Sequence, residues 1–314
     1  MNAQSRIYVA GHRGMVGKAI CHAIKAQGLP DPITFTSAEL DLRNQAAVNN
    51  MMAQEKPTHM FVAAAKVGGI HANSVYRADF LYDNLMIEAN LIHAAHQTKV
   101  RKLLFLGSSC VYPKMASQPL AEAAILTGAL EPTNEPYAIA KIAGIKLCEA
   151  YRDQHGDNFI SAMPTNLYGP GDNYDLQNSH VIPALMRKFH EAKAQGATTV
   201  TCWGSGSPRR EFLHVEDLAD ACLFLMQEYN DKPLVNVGTG EDLPIKALAE
   251  TIQTIVGFEG DIIWDTTKPD GTPRKLMNCE RIHALGWTHR IGLQEGLRKV
   301  YEEYKANPKA VRAK

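Results

Sequence analysis

Short apolar runs alternate with longer, helix-length segments through the first half of the chain. The apolar runs have the length of buried parallel strands and lie at residues 6–10, 33–36, 60–65, 102–106 and 159–164. The longer segments between them lie at residues 15–27, 44–54, 74–98 and 135–155. This alternation predicts an α/β fold built on a Rossmann-type, doubly wound parallel sheet with right-handed crossovers.

The chain changes character after residue 165. Three later segments share a high content of glycine and proline, which indicates loops, and lie at residues 168–173, 203–208 and 268–273. The run 234–238 has the composition of one more core strand. We therefore expect a Rossmann domain over residues 1–170, with return segments near 212–240. Residues 171–314 would form mainly a smaller, loop-rich C-terminal domain.

A glycine-rich turn joins the first predicted strand to the first predicted helix. Gly11 allows the tight turn, Gly14 lets the backbone approach a pyrophosphate, and Gly17 permits close packing of the helix on the sheet. The helix N-terminus would face the phosphates. Unless it is an ordinary glycine-rich turn, the segment predicts a dinucleotide site made of Gly11, His12, Arg13, Gly14, Met15, Val16 and Gly17.

The residues around this turn favour NADP(H) over NAD(H). Residues 34–37 are uncharged, whereas NAD binders usually have an acidic residue at the end of the second strand. Arg13 can pair with a 2′-phosphate, although Ser37 stands where a second arginine would strengthen the case, and a solvated loop arginine is the alternative. Asp41 and Leu42 would lie near the adenine, but Asp41 is equally well explained as a helix cap.

Tyr137 and Lys141 stand four positions apart in a predicted helix and therefore share one face. A neighbouring ammonium and a nicotinamide cation would lower the pKa of the Tyr137 phenol and make it a usable acid. Ser108 follows the fourth predicted strand and could hydrogen-bond the substrate oxygen that Tyr137 protonates. This set predicts nicotinamide-dependent carbonyl chemistry. The nicotinamide pocket would include Leu106, Gly107, Ser108, Ser109, Lys141, Pro164, Thr165, Asn166 and Leu167.

Together these fragments resemble the extended short-chain dehydrogenase/reductase superfamily, whose members act on nucleotide sugars. The resemblance extends over nearly the whole chain. It is most specific at residues 11–17, 63–70 (AAAKVGGI), 106–113 (LGSSCVYP), 131–144 (EPTNEPYAIAKIAG), 178–183, 210–214 and 268–274. It implies NADP(H) as cofactor and, more narrowly, GDP-4-keto-6-deoxy-D-mannose as the small-molecule substrate.

The resemblance also implies roles for Cys110 and His180. The substrate would be inverted at C3 and C5, which flank a C4 ketone, before the ketone is reduced. Because a ketone acidifies these protons, a base on one face and an acid on the other can invert each centre through an enolate. Cys110 can be the base if a nearby cation lowers its pKa, and His180, beside the cofactor, can return the proton. From the residues alone, Cys110 could equally be a buried apolar residue and His180 a helix-start residue.

The diphosphate and base of a GDP-sugar require cations and a flat surface in the C-terminal domain. The resemblance points to Lys188 and Arg210 for the diphosphate, and Arg210 suits bidentate contact. Trp203, in a glycine/serine loop, would pack against the nucleotide, and Asp270 would accept hydrogen bonds from the base or ribose. The alternatives are a surface lysine, a packed tryptophan and a turn aspartate.

Composition disfavours several other classes of function. The 314 residues carry 33 basic and 33 acidic side chains without a long basic run, which disfavours nucleic-acid binding. No apolar stretch reaches membrane-spanning length, and six scattered cysteines without metal-ligand spacing indicate a reduced, cytoplasmic protein without a metal site. The apolar positions of residues 74–98 and 135–155 predict a homodimer with a four-helix interface, as in the superfamily, or else the core helices of a monomer.

Two other kinds of function fit the same fold. In the superfamily, a 4,6-dehydratase has an acidic pair after the catalytic hydroxyl, where Ser109 and Cys110 stand in this chain, and a 4-epimerase retains NAD and has no use for Cys110. A catalytically inactive, NADP-sensing protein would be expected to have lost Ser108, Tyr137 or Lys141, and all three are present.

Overall fold

The computed structural model describes residues 1–176, 179–231, 234–268 and 270–306, apart from the side chains of Ile70 and His71. The strands of this part are β1 Ile7–Ala10, β2 His59–Val62, β3 Lys102–Leu106, β4 Phe159–Pro164, β5 Asn166–Tyr168, β6 Thr199–Trp203, β7 Arg209–Arg210, β8 Phe212–His214, β9 Val235–Val237, β10 Leu243–Pro244, β11 Asp261–Asp265 and β12 Arg274–Lys275. Its α-helices are α1 Met15–Ala26, α2 Gln45–Glu55, α3 Ile70–Val75, α4 Arg77–Gln97, α5 Glu135–His155, α6 Val181–Ala194, α7 Val215–Glu228, α8 Ile245–Val256, α9 Glu280–Ala284 and α10 Leu293–Ala306. Two motif residues, Asn178 and Pro269, lie outside the described residues.

The central sheet has five strands in the order β1-β2-β3-β4-β9, and every neighbouring pair is parallel. Nearly every residue of these strands is buried, as expected where helices cover both faces of a parallel sheet. The predicted α/β fold with a Rossmann-type parallel sheet is confirmed. β9 is the additional core strand expected at residues 234–238.

The predicted strand at residues 33–36 is wrong, because only Ile33 pairs with the sheet. Ile33 forms a single parallel bridge with Tyr8 on the edge of β1 opposite β2. Pro32 precedes it and cannot donate a backbone hydrogen bond, and the Thr36 N–H donates to Glu39 Oε2 at 2.7 Å rather than to a strand. After β1 the chain first lies along one edge of that strand, at Ile33, and then forms β2 along the other edge. Such a switch point opens a crevice at the carboxyl end of β1.

The helix predicted at residues 74–98 is confirmed as α4, although it begins three residues later than expected because α3 covers residues 74 and 75. α3 ends at Val75, and Tyr76, with φ −102° and ψ 44°, separates it from α4. The other three predicted helices, at residues 15–27, 44–54 and 135–155, begin and end within one residue of α1, α2 and α5. α4 and α5 pack against each other beside the central sheet.

The buried hydrophobic side chains form two clusters. The first surrounds the central sheet and also takes in α7 and the residues from Met277 to Trp287. The second contains residues of α6, α8 and α10 and of strand β6, which pairs with β11. We propose that these clusters are the cores of the two expected domains. The second is built mainly from helices, with the glycine-rich loops between its elements.

Candidate active site

The glycine turn after β1 has the geometry that a dinucleotide cradle needs. Gly11 has a φ of +86°, and a Cβ there would lie 2.7 Å from the backbone N of Ala64. A Cβ on Gly17 would lie 2.2 Å from the Gly11 carbonyl oxygen, so only glycine lets α1 pass this close to the turn. Gly14 precedes α1 without a side-chain cap, and the first turn of α1 contains no acidic residue. The N–H groups of that turn can therefore face phosphates, and the residues present fit a nicotinamide dinucleotide.

The loop that follows Ile33 contributes charged side chains near the same turn. Hydrogen bonds from Thr36, helped by the neighbouring His12 and Arg13, lower the pKa of the Glu39 carboxyl. Glu39 is therefore an acidic neighbour of Arg13 that the sequence reasoning missed, although it stands two residues beyond Ser37.

Asp41 does not cap the next helix. The side chain of Asn44 caps α2 by accepting from the Ala47 N–H at 3.1 Å. The Asp41 carboxylate instead pairs with Arg43 at 2.9 Å. The helix-cap alternative for Asp41 is thus wrong. The backbone carbonyl of Leu42 accepts a hydrogen bond from Asn90 Nδ2 at 2.9 Å.

The remaining candidate cofactor residues lie at the carboxyl ends of β3 and β4. Leu106 ends β3, and Gly107 and Ser109 follow it. Pro164 ends β4, and Thr165 continues the ladder by donating from its N–H to Val237 at 3.0 Å. Asn166 and Leu167 begin β5, beside β8. Both groups therefore border the edge at which ligands bind in such sheets.

Ser108 is the meeting point of the candidate proton-transfer groups. It follows β3 and precedes a short 3-10 turn, Ser109–Val111. The Cys110 backbone N–H donates to the Ser108 hydroxyl at 3.5 Å. The Ser108 side chain is also close enough to the Tyr137 phenol and the Cys110 thiol to lower the pKa of each. Tyr137 lies in the first turn of α5, which packs against the 3-10 turn. Residues predicted from separate segments thus share one hydroxyl.

Lys141 lies on the same helix face as Tyr137, as predicted, but its ammonium is paired with a carboxylate instead of acting mainly on the phenol. Its Nζ lies 5.9 Å from the centre of the Tyr137 ring. It forms a buried ion pair with Glu88 Oε1 at 2.9 Å, in which each side chain is only 2% exposed. Burial, together with the charges of Cys110 and Glu88, raises the pKa of Tyr137 well above its ordinary value. The ammonium alone does not produce the expected lowering, because Glu88 balances it and desolvation dominates.

Cys110 lines a small pocket together with Lys275, Arg274 and Glu131. Burial raises the pKa of the thiol, and the Ser108 hydrogen bond and the charges of Lys275 and Lys141 only partly oppose it. The cation expected near Cys110 is present as Lys275. Its effect is smaller than that of desolvation, so the expected net lowering of the pKa is not found.

His180 lies close enough to Lys275 for the charge of the lysine to act on its imidazole. It immediately precedes α6, at the helix start that was the alternative reading, but its imidazole does not cap the helix. The side chain is accessible to solvent, yet enough protein surrounds it for desolvation, aided by Lys275, to lower its pKa. Lys275 therefore acts on both Cys110 and His180.

The four candidate substrate residues form a second charged surface. Trp203 is the last residue of β6 rather than a loop residue, and its side chain is 62% exposed. The Lys188 Nζ lies 5.5 Å from the Trp203 ring centre. Asp270 accepts from the Ser205 N–H and hydroxyl, both at 2.7 Å. Arg210 is close enough to Asp270 for the carboxylate to oppose the lowering of its pKa by burial. The four are therefore neighbours.

Three further residues of the site escaped sequence reasoning. Lys268 Nζ lies 5.6 Å from the Trp203 ring, and Lys275 lines the Cys110 pocket. Both lie in or directly after the segment 268–274, which the resemblance had singled out. Glu88 could have been noticed as a carboxylate within a mostly apolar helical segment.

Two further features concern only the described part of the chain. None of its helices combines the length and apolar character needed to span a membrane. No three histidine, cysteine or acidic side chains in that part come together as a set of metal ligands.

This fold and site define a Rossmann-type, nicotinamide-dependent enzyme. The chain belongs to the NAD dependent epimerase/dehydratase family, whose sequence profile matches residues 7–238.

Individual relatives narrow the comparison. The chain is 58% identical to GDP-L-fucose synthase 1 of Arabidopsis thaliana over 96% of its own length and 94% of that protein. It resembles the crystal structure of a GDP-6-OMe-4-keto-L-xylo-heptose reductase from C. jejuni with a TM-score of 0.92 and 38% identity, covering 98% of this chain and 99% of that one. A GDP-L-fucose synthetase from Naegleria fowleri bound to NADP gives a TM-score of 0.91 and 27% identity, with coverages of 99% and 97%.

Proposed function

We propose that this enzyme uses NADPH to convert GDP-4-keto-6-deoxy-D-mannose to GDP-L-fucose, by epimerisation at C3 and C5 and then reduction at C4. The observation that carries the proposal is the meeting of Cys110 and Tyr137 at the Ser108 hydroxyl. A ketoreductase needs the serine and the tyrosine, but only an enzyme that also inverts carbons beside the ketone needs a thiol there. The names of the Arabidopsis and Naegleria relatives support the choice of substrate.

Epimerisation requires a base, an acid and a stabilised enolate. The Cys110 thiolate takes the proton from C3 or C5, and the electrons move into the ketone to form an enolate. The hydroxyls of Ser108 and Tyr137 hydrogen-bond the enolate oxygen and stabilise its charge. His180 delivers a proton to the opposite face and so inverts the centre. Which carbon each residue serves stays open.

Reduction uses the same tyrosine as a proton donor. Bound NADPH supplies a hydride. The raised pKa of Tyr137 keeps its phenol protonated at neutral pH, so that it can donate to O4 when the carbonyl is reduced. We assign the nicotinamide ribose to Lys141, whose Nζ is paired with Glu88 and lies 5.9 Å from the centre of the Tyr137 ring.

The binding surfaces are assigned on charge and shape. We propose Arg13 for the 2′-phosphate of NADPH and Asp41 and Leu42 for the adenine side. The NADP in the Naegleria relative supports this preference, and Glu39 beside Arg13 is the feature that opposes it. Lys188 and Arg210 would bind the diphosphate of the substrate, while Trp203 and Asp270 would contact its nucleoside.

We further propose a cytoplasmic homodimer that pairs α4 and α5 with their copies. Tyr82 of α4 is 62% exposed and Ile139 of α5 is 43% exposed, although both helices are otherwise well packed. Light scattering of the purified protein at micromolar concentration should give twice the mass of the chain. The substitutions Tyr82→Glu and Ile139→Glu together should return it to the monomer mass.

The proposal is tested by running the reaction in D₂O with NADPH and GDP-4-keto-6-deoxy-D-mannose. We expect loss of NADPH absorbance and, by NMR, a GDP-L-fucose product that carries deuterium at C3 and C5. Cys110→Ser should suppress the exchange, whereas Cys21→Ser, which changes a half-buried cysteine of α1, should not. Reduction without deuterium would make this chain a plain C4 reductase. Absence of any NADPH oxidation would rule out the substrate.

A further inference from the structure

A small three-stranded sheet sorts four basic side chains into two groups. β7 lies between β10 and β12, with Arg209 opposite Arg274 and Arg210 opposite Lys275. Side chains alternate between the faces of a strand. Arg209 and Arg274 accordingly reach one side, where both bind the carboxylate of Asp242. Arg210 and Lys275 are left for the other side, which borders the candidate active site.

The charge of Lys275 is not balanced by a carboxylate. Among the residues that the structure describes, no acidic side chain forms a salt bridge with it. Glu131 is the carboxylate whose charge acts on Lys275, but it is already paired with Lys114 at 2.8 Å. The other charged neighbour is Arg210, which repels it. An uncompensated ammonium in a crowded cleft is costly, which suggests a use for its charge.

The groups that face the Cys110 thiol single out Lys275 as its effective cation. They are Ser108 and Tyr137, both uncharged at neutral pH, and the ammonium groups of Lys141 and Lys275. Lys141 is balanced by Glu88 at 2.9 Å. Within the described residues, this leaves Lys275 as the uncompensated charge beside the thiol, in the wall of the same pocket.

We propose that Lys275 is a positioning residue that draws Cys110 into its thiolate form and holds that charge until the thiolate takes the substrate proton. The inference rests on the proposed function. The thiol loses its proton to solvent and regains one from the substrate carbon, while Lys275 forms and breaks no covalent bond. Water leaving the cleft as substrate binds strengthens the attraction, because Coulomb energies rise as the dielectric constant falls.

The first test measures the thiol without substrate. The rate of Cys110 alkylation by iodoacetamide is followed from pH 6 to pH 10 by peptide mass spectrometry. In Lys275→Met and Lys275→Gln we expect the pKa of the thiol to rise by about one unit and the rate at pH 7 to fall about tenfold. Lys275→Arg should restore most of the rate. An unchanged pKa in both Lys275→Met and Lys275→Gln overturns the inference.

Arg209→Gln is the matched control. It removes one positive charge from the neighbouring strand β7, on the face where Asp242 binds, and Arg209 does not line the Cys110 pocket. We expect the pKa of Cys110 to stay at its wild-type value in this variant. A rise as large as in Lys275→Gln would mean that any charge on this small sheet suffices, and would overturn a specific role for Lys275.

The second test follows the reaction. With NADPH and the keto-sugar in D₂O, Lys275→Gln should exchange C3 and C5 protons about tenfold more slowly at pH 7. The deficit should shrink as the pH rises, because solvent then ionises Cys110 without help. Exchange equal to that of the wild type overturns the Lys275 inference alone. A wild-type enzyme that neither exchanges nor oxidises NADPH overturns the proposed function and, with it, the role in epimerisation.

Discussion

The buried pair of Glu88 and Lys141 should make the loss of one partner much more costly than the loss of both. Lys141 Nζ lies 2.9 Å from Glu88 Oε1, and α4 and α5 enclose both groups. Burial raises the pKa of Glu88, and the Lys141 ammonium opposes this rise. Glu88→Gln preserves the size of the side chain but leaves a buried ammonium without its counter-ion.

The size of the loss is bounded by the free energy of neutralising the lysine. A lysine with a pKa of about 10.4 gives up its proton at pH 7 at a cost of about 4.6 kcal/mol, since one pKa unit corresponds to about 1.36 kcal/mol. Breaking one side of a buried pair costs about 3–5 kcal/mol. We therefore expect Glu88→Gln to lower the free energy of unfolding by about 3–4.5 kcal/mol at pH 7.

The same bound predicts the pH dependence of this loss. A neutral Lys141 in the folded variant has a pKa below that of the unfolded chain, so the unfolded state binds more protons and stability rises with pH. At pH 9 the bound falls to about 1.9 kcal/mol. The destabilisation by Glu88→Gln should therefore be smaller at pH 9 than at pH 7.

Guanidinium denaturation at one protein concentration is the suitable assay, because association of subunits would also change the midpoint. Glu88→Gln, Lys141→Met and the double variant form a cycle, in which we expect a coupling of about 2 kcal/mol or more. Glu149→Gln is the control, since Glu149 pairs with Lys146 on the surface of α5 and should contribute about 1 kcal/mol or less. A Glu88→Gln variant no less stable than Glu149→Gln, or a loss that does not change with pH, would refute the reasoning.

Three further predictions follow from single residues. Gly17→Ala should weaken NADPH binding at least about tenfold in a fluorescence titration, because its Cβ would lie 2.2 Å from the Gly11 carbonyl oxygen, whereas Gly292→Ala, with nothing within 4 Å, should bind normally. Burial lowers the pKa of His59 to about 4, so the unfolded state takes up a proton on this side chain first as the pH falls. The free energy of unfolding should therefore decrease as the pH drops from about 6.5 to 4, and His59→Gln should remove about 2 kcal/mol of that decrease. Identical pH profiles of stability for the wild type and His59→Gln would contradict this. Arg13→Ala should reduce the preference for NADPH over NADH about tenfold in steady-state kinetics without weakening NADH binding, because it removes only the partner of the 2′-phosphate.

Local spacing explains what could be predicted from the sequence. The strands and helices of the Rossmann half follow from apolar periodicity, and the cradle follows from glycines at a spacing that only one strand–turn–helix geometry accommodates. Tyr137 and Lys141 share a face because four residues make about one helical turn. The failure at residues 33–36 and the later start of the helix predicted at 74–98 also have local causes, in a preceding proline and in a break at Tyr76.

Tertiary structure alone decided the electrostatics of the site. Glu88 lies far from Lys141 in the chain, and Lys275 reaches Cys110 only because β12 pairs with β7 in one register. The sequence by itself determined which reactive groups exist and which ones a single turn brings together. The pKa directions of Tyr137, Cys110 and His180 depend instead on burial and on charges supplied by distant segments. Desolvation is a property of the whole packed chain, and no local pattern contains it.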